Sequence, residues 1–292
     1  MTRVLDRLAD VADAYDGFII DLWGVLHDGV QPYAYSRDTL KALKRADKHV
    51  VLLSNAPRPS ADVQLRLREM GFADDDYDHL LTSGEDTRRH LRRRTDDFYK
   101  GLGEAVYLLG LPKDENILDG VPGRRVTDIR DADYFVNTGV DLGETLDVAL
   151  PHLEAALDRK LPMICANPDL TIVTRGRTEI CAGVLAAWYA ERGGVVRYHG
   201  KPYPGVYHTC FNELGLGDPK RVLAIGDGLK TDIRGANAAG CDGLLIAGGV
   251  HAAEFGLTTA SHDDLAQHLP SIERVAAAEG ASPTYVSAVF RW

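Results

Sequence analysis

The sequence predicts an α/β protein: a doubly wound, Rossmann-like parallel sheet with a smaller α/β unit inserted into it. Three observations carry that reading. Short apolar runs near the N-terminus end in small or polar residues and alternate with helix-patterned stretches, the mark of βαβ units and a parallel sheet. The same style of strand returns late in the chain, again with a helix between. The stretch separating the two halves has strands and helices of its own, with no internal repeat and no low-complexity segment.

The first run is Phe18–Asp21, within F-I-I-D-L-W-G-V-L-H-D-G. A carboxylate at the C-terminal end of an apolar strand, followed by a glycine turn, is where open α/β sheets place their chemistry. A helical pattern over Ser36–Lys48 leads to a second strand, Val50–Asn55 (V-V-L-L-S-N). The next helix, Ser60–Met70, stops at Gly71, and a third strand spans Leu80–Gly84. In the middle, Ala105–Gly110, Tyr134–Gly139 and Met163–Asn167 read as strands, Leu146–Arg159 and Thr178–Arg192 as helices. The late strands are Val222–Asp227 and Gly243–Gly248. The expected division is a discontinuous core, residues 1–84 and 196–292, around an insert of residues 85–195.

A chain of 292 residues with 45% hydrophobic and 26% charged residues suits a globular protein of two domains. Its net charge of -10 argues against nucleic acid or an anionic membrane as partner. The charged N-terminus does not resemble a signal peptide and no apolar run approaches bilayer length, so the expectation is a cytoplasmic protein. Cys165, Cys181, Cys210 and Cys241 form no C-x-x-C pair and read as reduced thiols, with no zinc site among them. The run R-R-H-L-R-R-R at Arg88–Arg94 invites a phosphate-binding reading, but a solvated helix face that partly balances the acidic Asp74–Asp78 accounts for it. The G-L-G-E-A-V run starting at Gly101 has Val106 where a dinucleotide loop needs its third glycine, and it precedes a strand, which excludes a nicotinamide cofactor. The tail Tyr285–Trp292 is too apolar for a free terminus and is expected to dock on the core or on a second subunit of a homo-oligomer.

Polar clusters sit at the ends of the core strands: Asp21; Ser54 with Asn55; Lys201 in H-G-K-P-Y-P-G; and Asp227 with Asp232 in I-G-D-G-L-K-T-D-I. In a doubly wound sheet such ends converge on one crevice. Carboxylates suit Mg²⁺, which prefers oxygen ligands. The lysine, the Ser54 hydroxyl and backbone amides suit a phosphoryl group, and Asp21 is then free to attack phosphorus and form an aspartyl-phosphate. Blander roles stand beside these. Ser54 is also a plausible helix N-cap, Lys201 a surface lysine, Asp232 a first-turn helix aspartate, and N-P-D at Asn167–Asp169 ordinary turn chemistry.

D-L-W-G-V-L, L-L-S-N, G-K-P-Y-P and G-D-G-L-K-T-D-I-R-G-A-N-A-A-G, in that order, resemble the haloacid dehalogenase superfamily, and in particular its class IIA phosphatases with a large C2-type cap. The resemblance runs from about Asp16 to His251, and A-N-P-D at Ala166–Asp169 is similar to a cap motif of that subgroup. It implies a Mg²⁺-dependent hydrolase acting on a small phosphorylated metabolite. Asp21 would be nucleophile and metal ligand, Asp227 a second ligand, and Asp232 a holder of metal-bound water or of Lys201. The Trp23 backbone carbonyl would also reach the metal; Ser54, Asn55 and Lys201 would bind phosphate, and Asn167 and Asp169 would face substrate.

One position departs from the family: Trp23 stands where an aspartate acting as general acid/base is usual. Indole supplies no proton of useful pKa, and losing a positioned acid or base costs typically ~10²–10⁴-fold per step. Alkyl monoesters should suffer most, acyl and aryl phosphates least. His27 and Asp28, on the adjoining turn, are the auxiliary acid/base candidates. Trp23 itself reads alternatively as a shape-filling residue under the cap or a stacking face for a planar substrate. The competing reading of the whole chain is a phosphometabolite-binding or regulatory protein without turnover. Carbon–phosphorus chemistry is a weaker third, because no Schiff-base lysine is identifiable.

Overall fold

Gly17–Asp21 is buried at every residue, as a strand in the middle of a covered parallel sheet has to be. It pairs in parallel with His49–Ser54 on one side and Val222–Gly226 on the other. The computed structural model describes residues 2–174, 177–257 and 262–292. These divide into two compact units. The first comprises Met1–Ser54, Gln64–Leu81 and Lys201–Trp292, and the second Asn55–Val63 and Thr82–Gly200. The second is therefore wider at both ends than residues 85–195 and takes in a short piece next to Ser54.

The first unit is built on a seven-stranded sheet in the order Arg3–Leu5, Tyr285–Ser287, Asp242–Ile246, Val222–Gly226, Gly17–Asp21, His49–Ser54, His79–Thr82. Helix Pro204–Leu214 lays Val206, Tyr207, Cys210, Phe211 and Leu214 on Ile19, Val51, Leu53 and Val222. Leu229, Ile233 and Phe255 pack with Leu265 and Ile272 of helix His262–Ala278 over Leu245 and Val286. The aromatic tail is docked on this core. Tyr285–Ser287 inserts between Arg3–Leu5 and Asp242–Ile246, and the Tyr15 hydroxyl donates to Asp242 at 2.7 Å and lies 3.1 Å from the Tyr285 hydroxyl.

The second unit has its own five-stranded parallel sheet, ordered Val196–Tyr198, Met163–Cys165, Tyr134–Asn137, Ala105–Leu109, Arg124–Val126. Phe135, Leu153, Met163, Leu185 and Tyr189 form the core on one side of it. Three local expectations need correction. The stretch from Thr178 is not helical throughout: Arg177–Ile180 pairs antiparallel with Thr171–Thr174, and the helix is Ala182–Glu191. The β-branched, alternating R-T-E-I suits a half-exposed hairpin. The helix expected from Leu146 begins at Leu150, with Pro151 in its first turn. The strand expected to reach Gly84 ends at Thr82, whose hydroxyl accepts from the Glu85 amide and so caps helix Ser83–Arg93.

Four arginines of the run at Arg88–Arg94 have partners within their own unit. Arg88 and Arg89 pair with Glu85, Arg92 and Arg94 donate to backbone carbonyls, and Asp74 and Asp78 are held by Arg68 and Lys44. All four cysteines are buried. No helix among the described residues is long and apolar enough to cross a membrane.

Candidate active site

Two adjacent parallel strands deliver two carboxylates to the same end of the first unit's sheet. Asp21 is the last residue of Gly17–Asp21, and Asp227 directly follows Val222–Gly226. Asp232 comes from the turn Leu229–Ile233, which leads into helix Arg234–Ala239. Carboxylate oxygens of Asp21, Asp227 and Asp232 lie within 4.8 Å of one another. Lys201 reaches into the cluster and donates to Asp21 Oδ1 at 2.5 Å and to Asp232 Oδ1 at 2.7 Å. All four residues are buried. Asp232 Oδ2 accepts from the Gly228 amide at 3.0 Å and from Thr231 Oγ1 at 3.2 Å. Asp227 Oδ2 accepts from the Val250 amide at 2.8 Å.

With all groups ionised, three buried carboxylates and one ammonium carry a formal net charge of -2. The titration shifts register that imbalance. Burial raises the Asp21 carboxyl well above the ordinary range, with Asp232 and Asp227 adding to the effect and Lys201 opposing it. Burial, then Asp232, pushes Asp227 up to about 7. Lys201 is held protonated: burial disfavours its charge, but Asp21 and Asp232 outweigh that and raise it. A compact, oxygen-only cluster two charges short of neutral fits a divalent cation such as Mg²⁺, which would relieve the carboxylate repulsion.

Residues 18–122 match the family described as haloacid dehalogenase-like hydrolase, and residues 198–272 match the related HAD-hydrolase-like family. The chain belongs to the haloacid dehalogenase-like hydrolases. It is 28% identical over 251 residues to the D-glycerol 3-phosphate phosphatase of Mycobacterium tuberculosis, covering 84% of this chain and 67% of that one. A haloacid dehalogenase-like hydrolase from Brucella suis superposes with a TM-score of 0.81 at 29% identity, over 98% of this chain and 100% of the other. A glycerol phosphate phosphatase from Mycobacterium tuberculosis, solved in complex with magnesium, has the same fold at a TM-score of 0.69 and 24% identity, over 98% of this chain and 78% of the other.

In this hydrolase Ser54 closes the strand beside Asp21, one residue beyond Leu53, the register partner of Asp21. Asn55 opens the second unit, where its Nδ2 donates to Asp169 Oδ1 at 2.7 Å. Asn167 Oδ1 accepts from the Asp169 amide at 3.0 Å. N-P-D is thus a side-chain-closed turn whose carboxylate holds the Asn55 amide.

Trp23 is 43% exposed. Its indole meets the His27 ring edge-on, centroids 5.8 Å apart, and lies against Gly29, where a β-carbon would stand 2.2 Å from the ring. His27 is buried, and its Nδ1 accepts from the Gly29 amide at 3.0 Å. Burial lowers its pKa to about 4, so it is neutral at pH 7. The Asp28 carboxylate accepts from the Val30 and Gln31 amides, both at 2.8 Å, which hold it below the ordinary carboxylate range. Neither is arranged to deliver a proton at neutral pH. The glycines flanking Asp227 escaped the sequence reading: a β-carbon on Gly24 or Gly249 would stand 1.9 or 2.3 Å from its side chain. The only sequence signal was Gly24 itself, in the turn after the nucleophile candidate.

Proposed function

We propose that this protein is a Mg²⁺-dependent phosphatase that cleaves small phosphorylated metabolites by phosphoryl transfer to Asp21. The observation that carries the reading is the buried cluster of Asp21, Asp227, Asp232 and Lys201, two charges short of neutral. The likeness to the D-glycerol 3-phosphate phosphatase of Mycobacterium tuberculosis supports it.

Asp21 and Asp227, with the Trp23 backbone carbonyl and with Asp232 directly or through water, would hold Mg²⁺. When bound, the ion supplies positive charge for the phosphoryl oxygens and for the crowded carboxylates. The free oxygen of Asp21 attacks phosphorus, the ester P–O bond breaks, and the leaving alkoxide or phenoxide departs with the bonding pair. Lys201, fixed by Asp232, favours the ionised form of Asp21 against burial and offers its charge to the phosphoryl group, with the Ser54 hydroxyl and the Asn55 amide as further donors. Asp169 acts by orienting Asn55. Water then attacks the aspartyl-phosphate, releasing inorganic phosphate and restoring Asp21. We assign the role of cap, and with it the choice of substrate, to the second unit.

A second reading, a phosphometabolite-binding protein without turnover, is favoured by one observation: neither Trp23 nor His27 nor Asp28 is arranged as an acid/base. Phosphate release from acyl, aryl and alkyl phosphates, with Mg²⁺ and with a chelator, decides between them. Mg²⁺-dependent release from any class supports the phosphatase; binding of phosphate esters without release from any class establishes the other reading.

A further inference from the structure

Asp86, His90, Tyr99 and His199 take no part in the phosphatase reading, and all four belong to the second unit. Asp86 and His90 are four residues apart on helix Ser83–Arg93 and so share one of its faces. His199 follows strand Val196–Tyr198, more than a hundred residues away in sequence. An oxygen of Asp86 and one nitrogen from each imidazole lie within 4.8 Å of one another. His199 Nδ1 lies 2.6 Å from Asp86 Oδ2, and its Nε2 pairs with the Tyr99 hydroxyl. The His90 ring stands 4.9 Å from the His199 ring and 5.4 Å from that of Tyr99. His90 Nδ1 donates to the Asp86 carbonyl at 2.9 Å. That bond puts the proton on Nδ1 and leaves the lone pair on Nε2, as in metal-ligating histidines oriented by a backbone carbonyl. Asp86 and His199 are buried, whereas the His90 side chain is 36% exposed and leaves a route in from solvent.

We propose that Asp86, His90 and His199 form a second metal site, for a borderline transition-metal ion of the Zn²⁺ type. Two imidazoles and a carboxylate suit Zn²⁺ or Co²⁺ far better than Mg²⁺, which favours the all-oxygen cluster of Asp21, Asp227 and Asp232. The ion takes the place of the proton shared by Asp86 and His199, which passes to solvent. The Tyr99 hydroxyl, paired with Nε2 on the far edge of the ring, orients the His199 imidazole. The bound ion cross-links helix Ser83–Arg93 to the chain at His199, so its role is structural. This inference does not depend on the phosphatase reading.

The test is a titration of the chelator-treated full chain with Co²⁺ and Zn²⁺ under saturating Mg²⁺. One equivalent of Co²⁺ should bind with visible d–d absorption and be displaced by Zn²⁺, and Zn²⁺ should raise the melting temperature. Asp21→Asn should leave both signals intact. His90→Ala, which keeps the Asp86–His199 bond, should weaken Zn²⁺ binding by at least ~100-fold while circular dichroism and phosphate release stay as in wild type. If wild type binds no Co²⁺ that resists Mg²⁺, the cluster is a hydrogen-bonded network and the proposal fails. Equally tight binding by wild type and His90→Ala also overturns it.

Discussion

Gly24 is pressed against the carboxylate of Asp227: a β-carbon at that position would stand 1.9 Å from Asp227 Oδ2, and Gly24 has a φ of +85°. Any L-residue there is opposed both by backbone sterics, costing about 1–2 kcal/mol, and by the carboxylate. Gly24→Ala should therefore displace Asp227 and weaken the proposed Mg²⁺ site more than it weakens the fold. The expected result is at least a ~10-fold rise in the Mg²⁺ concentration needed for half-maximal phosphate release, with destabilisation of about 1–3 kcal/mol. An unchanged Mg²⁺ requirement would show that Asp227 is not a ligand.

Asp21→Asn removes one charge from a cluster with a net charge of -2, and Lys201 keeps its bond to Asp232. The metal-free variant should be at least as thermally stable as metal-free wild type, because a carboxyl raised by burial and by its neighbours is lost. Phosphate release should fall to background, since an amide neither attacks phosphorus nor replaces the carboxylate on the ion. The stabilisation by Mg²⁺, about 2.7 kcal/mol at 100-fold above Kd for an intact site, should shrink. Wild-type turnover in this variant would remove Asp21 from the mechanism.

Burial lowers the His27 pKa from 6.5 to about 4. Above pH 6.5 the imidazole is neutral folded and unfolded, and its contribution to stability is fully present. As pH falls from 6.5 towards 4, the unfolded chain takes a proton that the folded one refuses, so stability is lost by up to about 3 kcal/mol. His27→Asn keeps an acceptor for the Gly29 amide and removes the titration. Urea denaturation at pH 7 and pH 4.5, with Mg²⁺ present, should show wild type losing more stability than the variant. Equal losses would mean that His27 already protonates freely in the folded chain.

The central strands were legible because a sheet covered on both faces needs unbroken apolar runs, as in Phe18–Ile20, Val50–Leu53 and Val222–Ile225. The strand-end carboxylates were legible for the same reason, since polar residues stop those runs. The edge strands Arg3–Leu5 and Arg124–Val126 were not, because three residues with charged members carry no period. Thr178–Ile180 was absorbed into the helix that follows it, although its alternation belongs to a hairpin. Asn55 and Asp169 were each legible as polar residues, but their bond joins positions 114 residues apart, which spacing cannot reveal. The pairing of Asp86 with His199 was hidden in the same way, and His90 was hidden within a run of arginines.

Trp23 carries the last prediction. Its indole packs on His27 and Gly29, so it is part of the turn that presents Asp21 and not a proton carrier. The two nearby candidates for that task are engaged elsewhere: His27 takes the Gly29 amide, and Asp28 takes those of Val30 and Gln31. Wild-type turnover should then fall steeply as the leaving group becomes more basic. p-Nitrophenyl and acyl phosphates should be cleaved, glycerol and sugar phosphates hardly at all. Trp23→Asp should raise alkyl-monoester turnover by up to ~10²–10⁴-fold while changing aryl phosphate turnover much less, because a nitrophenolate departs without a proton. The cost is the packing on Gly29, about 1 kcal/mol, visible as a lower melting temperature. Leaving-group plots for wild type and Trp23→Asp across one phosphate ester series make the comparison. A shallow wild-type plot with no gain from the aspartate would show that the proton comes from elsewhere, for instance from the substrate or from bound water, and that position 23 is structural only.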